Sequence, residues 1–142
     1  MINNTQSLKE NFASAFSSYK NKDFKSAELS CYKILSIDPN HFDSLSLLAT
    51  IHAVQNNFEK AKELMHKAVE VQPKNVAAIN NLGTAYKKLN KLSEARIFFE
   101  QALEIDPNHT NANYNLGVVF FSLNDLKNAK KYLKKTVEIQ KN

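Results

Sequence analysis

Each proline in this chain stands 34 residues from the next: Pro39, Pro73 and Pro107, preceded by Asp38, Gln72 and Asp106. Written in frames of that length, residues 8–41, 42–75, 76–109 and 110–142 align with one another after a polar tail, residues 1–7. Frame position 20 is alanine in all four copies: Ala27, Ala61, Ala95 and Ala129. Position 8 is always tiny (Ala15, Ala49, Gly83, Gly117), and position 17 is always large and apolar (Phe24, Phe58, Leu92, Leu126). A period in this range marks one supersecondary unit stacked into a solenoid, in which each repeat touches only its neighbours.

Within a frame the pattern predicts two helices. In the third copy, Ile79, Leu82, Gly83 and Tyr86 fall at i, i+3, i+4 and i+7 and draw one stripe. Leu92, Ala95, Phe98, Phe99 and Ala102 draw a second, and Asp106-Pro107 ends it, because proline lacks a donor and disfavours helix in the residue before it. Between the helices, position 15 holds Lys22, Asn56, Asn90 and Asn124. A left-handed residue is expected there to close the first helix, with asparagine the usual substitute for glycine. So short a connection makes the two helices antiparallel neighbours. The fold class expected is all-α, eight antiparallel helices in four hairpins.

These residues resemble the tetratricopeptide repeat (TPR) family. Its pattern is matched most fully by the third frame, with Leu82, Gly83, Tyr86, Ala95, Phe99, Ala102 and Pro107. The outer frames depart from it: Ser14 and Ser18 replace larger residues in the first, and Asn113 and Thr136 stand at positions 4 and 27 of the fourth. Atypical outer repeats are common in solenoids. In the first frame Phe12, Phe16 and Tyr19 form the apolar stripe instead, and they are expected to pack on Phe24 and Tyr32. The resemblance implies a right-handed superhelix whose first helices line a concave face that binds peptides or partner helices.

Carried over position by position, the resemblance puts Leu47 and Thr50 of the second repeat on that face. From the third it puts Asn80, Asn81, Thr84, Lys87 and Lys88 there, and from the fourth Asn111, Tyr114, Asn115, Val118 and Phe121. Asn81 and Asn115 share position 6, and their spacing is similar to the asparagine ladder of O-linked N-acetylglucosamine transferase TPR arrays. Such amides offer donors and acceptors to the backbone of an extended peptide; the other reading is bonding within the array or to water. The cationic clamp that holds a C-terminal carboxylate in chaperone-binding members is absent from the matching positions.

No chemistry of catalysis can be assembled. His41, His52, His66 and His109 show no metal-binding spacing, Cys31 is alone, and both glycines belong to the helix-packing pattern. Neither a cofactor nor a metal is expected, and the chain by itself is not expected to be an enzyme. The net charge of +5 is concentrated: residues 110–142 hold six lysines against two acids, mostly Lys127, Lys130, Lys131, Lys134 and Lys135. Without aromatic–basic interleaving this reads as a solvated terminal face rather than a nucleic-acid site. No segment has the length or apolarity of a membrane span, and the start lacks a signal-peptide pattern, so a cytoplasmic location is expected. No further capping helix follows the fourth repeat. Tyr132, Leu133 and Val137 are therefore expected at an end face covered by self-association, by another domain or by chain beyond Asn142. The function expected is a protein-interaction scaffold binding a peptide or helix. The alternatives are the substrate-recognition or assembly arm of a larger enzyme, such as a glycosyltransferase, and a self-associating array.

Overall fold

The computed structural model describes residues 4–142 and contains eight α-helices. They are α1 (Asn4–Lys20), α2 (Phe24–Ile37), α3 (Phe42–Val54), α4 (Phe58–Val71), α5 (Val76–Lys88), α6 (Leu92–Ile105), α7 (Thr110–Ser122) and α8 (Leu126–Gln140). The helices divide into two compact units, one ending at Val71 and the other spanning Gln72–Asn142. In the first, α1 packs on α2, α2 on α3 and α3 on α4, and α1 also touches α3. The second repeats that arrangement with α5 to α8, α5 touching α7. Since α1 begins at Asn4, residues 4–7 of the expected tail are helical, whereas residues 1–3 lie outside the described residues.

Lys22, Asn56, Asn90 and Asn124 all have φ near +60°, as position 15 requires. A left-handed residue reverses the chain at once, and a side-chain acceptor at the next position starts the second helix. Asp23 and Asp125 accept from the backbone N–H groups of Ser26 and Asn128 at 3.1 Å, and Asn57 accepts from Lys60 at 3.3 Å. Hydrogen bonds from Ser26 hold the Asp23 carboxyl below its ordinary range, and those from Asn128 do the same for Asp125. Both caps therefore stabilise the fold above the ordinary carboxylate pKa and are lost as pH falls through the depressed values. At the fourth equivalent position Lys91 makes no side-chain cap.

The turn between repeats is built with equal economy. The Asp38 and Asp106 carboxylates accept from the N–H groups of Asn40 and Asn108, and proline between them fixes the bend. Position 34 then caps the following helix: His41 Nδ1 accepts from Ser44 N–H, Asn75 Oδ1 from Ala78 N–H and His109 Nδ1 from Ala112 N–H, at 3.0–3.2 Å. Asn113, which breaks the family pattern, is fully buried and donates from Nδ2 to the carbonyls of Pro107 and His109. It pins the turn that a larger apolar residue would leave unbonded. Thr136 is also buried and donates its hydroxyl to the Tyr132 carbonyl one turn back.

Packing within a hairpin depends on position 8. A Cβ on Gly83 would lie 2.7 Å from Phe99 Cε1, and one on Gly117 would lie 2.7 Å from Leu133 Cγ and 3.2 Å from the Leu133 backbone nitrogen. Phe99 is itself fully buried, in a cluster with Ala95, Leu116, Val119, Phe120 and Ala129. In the first unit the same positions carry Ala15 and Ala49, and the core includes Ala27, Cys31, Ile34, Leu48 and Ile51. Burial pushes the Cys31 thiol up to about 11, with Glu28 adding to the effect, so it behaves as a small hydrophobe. Phe12, Phe16, Tyr19 and Phe24 form a continuous row of rings 5.9–6.3 Å apart. Tyr32, expected to join them, is 44% exposed.

Two outcomes test this packing. Gly83→Ala and Gly117→Ala should each lower stability by about 1–3 kcal/mol despite the better helix propensity of alanine, with Gly117 the less forgiving because backbone lies behind its contact. Chemical denaturation reads this directly, and unchanged or raised stability would contradict the contacts. Lys91→Asp should supply the missing cap and add about 1 kcal/mol.

Candidate functional site

The candidate site lies on α5 and α7, the first helices of the second unit, whose shared face is composed mostly of positions 5, 6, 9 and 12. On α7 one side is committed to the core, with Ala112, Leu116, Val119 and Phe120 buried. The other side carries Tyr114, Val118 and Phe121 at i, i+4 and i+7. Tyr114 is 52% and Phe121 64% exposed, and Val118 is half-buried. Asn111 is exposed one turn before Tyr114. Apolar residues thus occupy both faces of α7, although only one face is covered within the unit.

Asn115 joins this stripe to α5. Its Nδ2 donates to Asn80 Oδ1 at 3.2 Å and, more weakly, to Thr84 Oγ1 at 3.5 Å. Its Oδ1 accepts from Lys87 Nζ at 2.6 Å. Asn80 and Asn115 are buried, at 5% and 9% exposure. The Thr84 hydroxyl donates in turn to the Asn80 carbonyl. Burial, and secondarily the neighbouring Lys88, pushes the Lys87 ammonium below its ordinary pKa. One amide therefore satisfies a buried amide, meets a hydroxyl and holds a half-buried cation in place.

Of the two readings of the asparagine row, Asn115 follows the one that bonds within the array. Asn115 is turned toward Asn80, Thr84 and Lys87, whereas Asn81 is exposed on the next position of α5. The reason is the offset between the two helices: position 6 of α7 meets positions 5, 9 and 12 of α5. In the first unit, position 6 is Leu47, which is also buried, at 6% exposure. Leu47 is therefore a packing residue within its unit, and Thr50 is half-buried with its hydroxyl donated to the Ser46 carbonyl. Lys88 is exposed at the end of α5.

The three residues expected at the end face differ in how far they are exposed. The Tyr132 ring stacks on Phe120 with centroids 5.6 Å apart, and Leu133 lies against Gly117. Both are partly buried inside the α7–α8 hairpin, leaving Val137, 49% exposed, as the open member of the three. Lys127, Lys130, Lys131 and Lys134 of α8 are exposed and Lys135 is half-buried, with Lys134 paired to Glu138. No helix among the described residues is long and apolar enough to cross a membrane.

The role of Lys87 is legible in the sequence only once the offset between adjacent first helices is known. It lies 28 residues before Asn115, one frame less the six positions that separate positions 12 and 6. If the network carries the junction, Asn115→Ala should cost about 1–3 kcal/mol, since it strands Asn80 and Lys87. Asn81→Ala should stay within about 0.5 kcal/mol of the parent. Urea unfolding of the two variants checks this, and the reverse order would contradict the assignment.

Two sequence-family models, both described as tetratricopeptide repeat, match the chain over residues 40–108 and 91–142. No curated protein matches the sequence. Among solved structures, MamA from Desulfovibrio magneticus RS-1 superimposes with a TM-score of 0.87 at 20% identity, over 94% of this chain and 76% of that one. A structure from the functional characterisation of Pseudomonas aeruginosa PilF gives 0.86 at 21% identity, over 98% and 64%. A mutant of the Thermobaculum terrenum O-GlcNAc transferase gives 0.76 at 23% identity, over 84% of this chain and 23% of the transferase. At these identities the likeness to solved structures is one of fold.

Proposed function

Because the chain belongs to the tetratricopeptide repeat family, as the two matches spanning residues 40–142 establish, we propose that it is a non-catalytic protein-interaction module. In this reading it holds an extended peptide or a partner helix against the first helices of its repeats. The observation that carries the reading is the uncovered apolar stripe Tyr114–Val118–Phe121 on a helix whose opposite face is fully packed. Apolar side chains at one helical spacing, rimmed by Asn81, Lys88 and Asn111, have the composition of a recognition surface: aromatic anchors inside a polar border.

Within this proposal the groove residues divide by role. Tyr114, Val118 and Phe121 make contact, and Asn81, Asn111 and Lys88 stand at the rim. Asn80, Thr84 and Asn115 hold the two helices in register beneath them. The alternative, an arm of a larger enzyme such as a glycosyltransferase, places the same surface in the same role. It draws on the fold shared with one segment of the O-GlcNAc transferase.

Panning the protein against a displayed library of short random peptides, followed by affinity measurement on the enriched sequences, tests the reading. Phe121→Ser and Tyr114→Ala should each weaken binding by about 1–2 kcal/mol while leaving the fold intact, because both side chains are exposed. Enriched peptides that bind these variants as tightly as the parent would contradict it.

A further inference from the structure

Lys87 is an unusual cation for a binding face. Its ammonium is half-buried, yet its hydrogen-bond partner is the neutral Oδ1 of Asn115 at 2.6 Å, and no carboxylate among the described residues lies within ion-pair distance of it. Neither α5 nor α7 contains an aspartate or a glutamate. Withdrawing an ammonium from water without a counter-charge is unfavourable. The chain nevertheless bonds it through Asn115, whose other end is held by Asn80 and Thr84. The flexible lysine is thereby fixed in position in advance, and the ordering entropy that a free lysine would lose on pairing is already spent.

The location is as informative as the charge. Lys87 meets α7 at Asn115, adjacent in sequence to Tyr114 and one turn before Val118. Its bonded position is near the middle of α7, with Asn111 on one side and Phe121 on the other. Along the α7 axis the Asn115 contact lies beside Tyr114, at one end of the stripe, so a partner that covers the stripe and meets the ammonium lies across α5 and α7 near Tyr114. A carboxylate received there belongs to a side chain next to the partner residue that covers Tyr114, with the remaining apolar contacts to one side of it.

We propose that the α5–α7 face selects a segment in which an aspartate or glutamate side chain stands beside a run of apolar side chains, the apolar groups covering Tyr114, Val118 and Phe121 and the carboxylate pairing with Lys87. This rests on the interaction-module reading above and names the chemistry of its partner. The pair gains from partial desolvation, because a carboxylate brought by the partner replaces water around a cation that is already half-buried, and N⁺–H···O⁻ bonds are the stronger class. Asn115 acts as a positioning residue for the cation.

The test uses the whole chain and synthetic peptides in matched sets: an enriched apolar–acidic peptide, the same peptide with its internal acid changed from Glu to Gln or Asp to Asn, and both with an amidated C-terminus. The acidic peptide should bind roughly tenfold more tightly than its amide twin at low salt, and the gap should narrow as salt rises. Amidation of the terminus should change neither. In Lys87→Met, acid and amide peptides should bind alike, with folding checked by circular dichroism; the comparison of peptides on the parent protein needs no variant at all. If peptides bind through Tyr114 and Phe121 but the acid and amide forms are equal, the carboxylate inference fails and the groove reading stands. If binding is indifferent to Tyr114 and Phe121 as well, both fail. A single-stranded DNA oligonucleotide that displaces the acidic peptide through Lys87 would also overturn the inference, in favour of a general anion site.

Discussion

Everything in this chain depends on how closely the two helices of a hairpin can approach. Gly83 faces the buried ring of Phe99 and Gly117 faces Leu133, at separations where even a methyl group would collide. Alanine at position 20 keeps the partner helix equally lean, and Ala27 and Ala95 are fully buried. Close approach lets Phe99 fill the gap in the α5–α6 hairpin and Leu133 the gap in the α7–α8 hairpin. It requires the chain to reverse abruptly, which four residues at φ near +60° achieve. Three are asparagines, for which this conformation is relatively cheap; Lys22 holds it without that help.

The junction between neighbouring repeats is less strictly specified, and the two units fill it differently. At frame position 6 the first unit buries Leu47 and the second buries Asn115. Leucine needs only apolar surroundings. Asparagine must find partners for its amide, and it does so through Asn80, Thr84 and Lys87. The polar solution leaves a positioned ammonium beside an uncovered apolar stripe, and so links a packing choice to recognition. Stability of the junction and chemistry of the groove share one side chain.

Much of this architecture can be read from the frame. The prolines, the tiny residues at position 8 and the asparagines at position 15 dictate backbone geometry, and backbone geometry repeats when the residues do. The binding face is harder to read because it depends on the offset between adjacent repeats, which no residue within a frame reveals. That is why Asn115 resembles a ladder rung in sequence, whereas its bond to Asn80 shows only in the structure. Tyr132 and Leu133 show the same limit: their contacts with Phe120 and Gly117 inside the hairpin depend on how α8 is rotated against α7. Position 34 was legible as a turn, yet its capping by either histidine or asparagine depends on an acceptor atom reaching the N–H three residues on. Two quite different side chains meet that condition.

The most direct check on the account is a double-mutant cycle combining Gly83→Ala with Phe99→Leu, measured by chemical denaturation. If contact with the Phe99 ring limits the approach of α5 and α6, the alanine should cost less in the leucine background, with a coupling energy above about 0.5 kcal/mol. Additive effects at the two sites would mean that the close approach is not what sets the hairpin, and the packing account would fall.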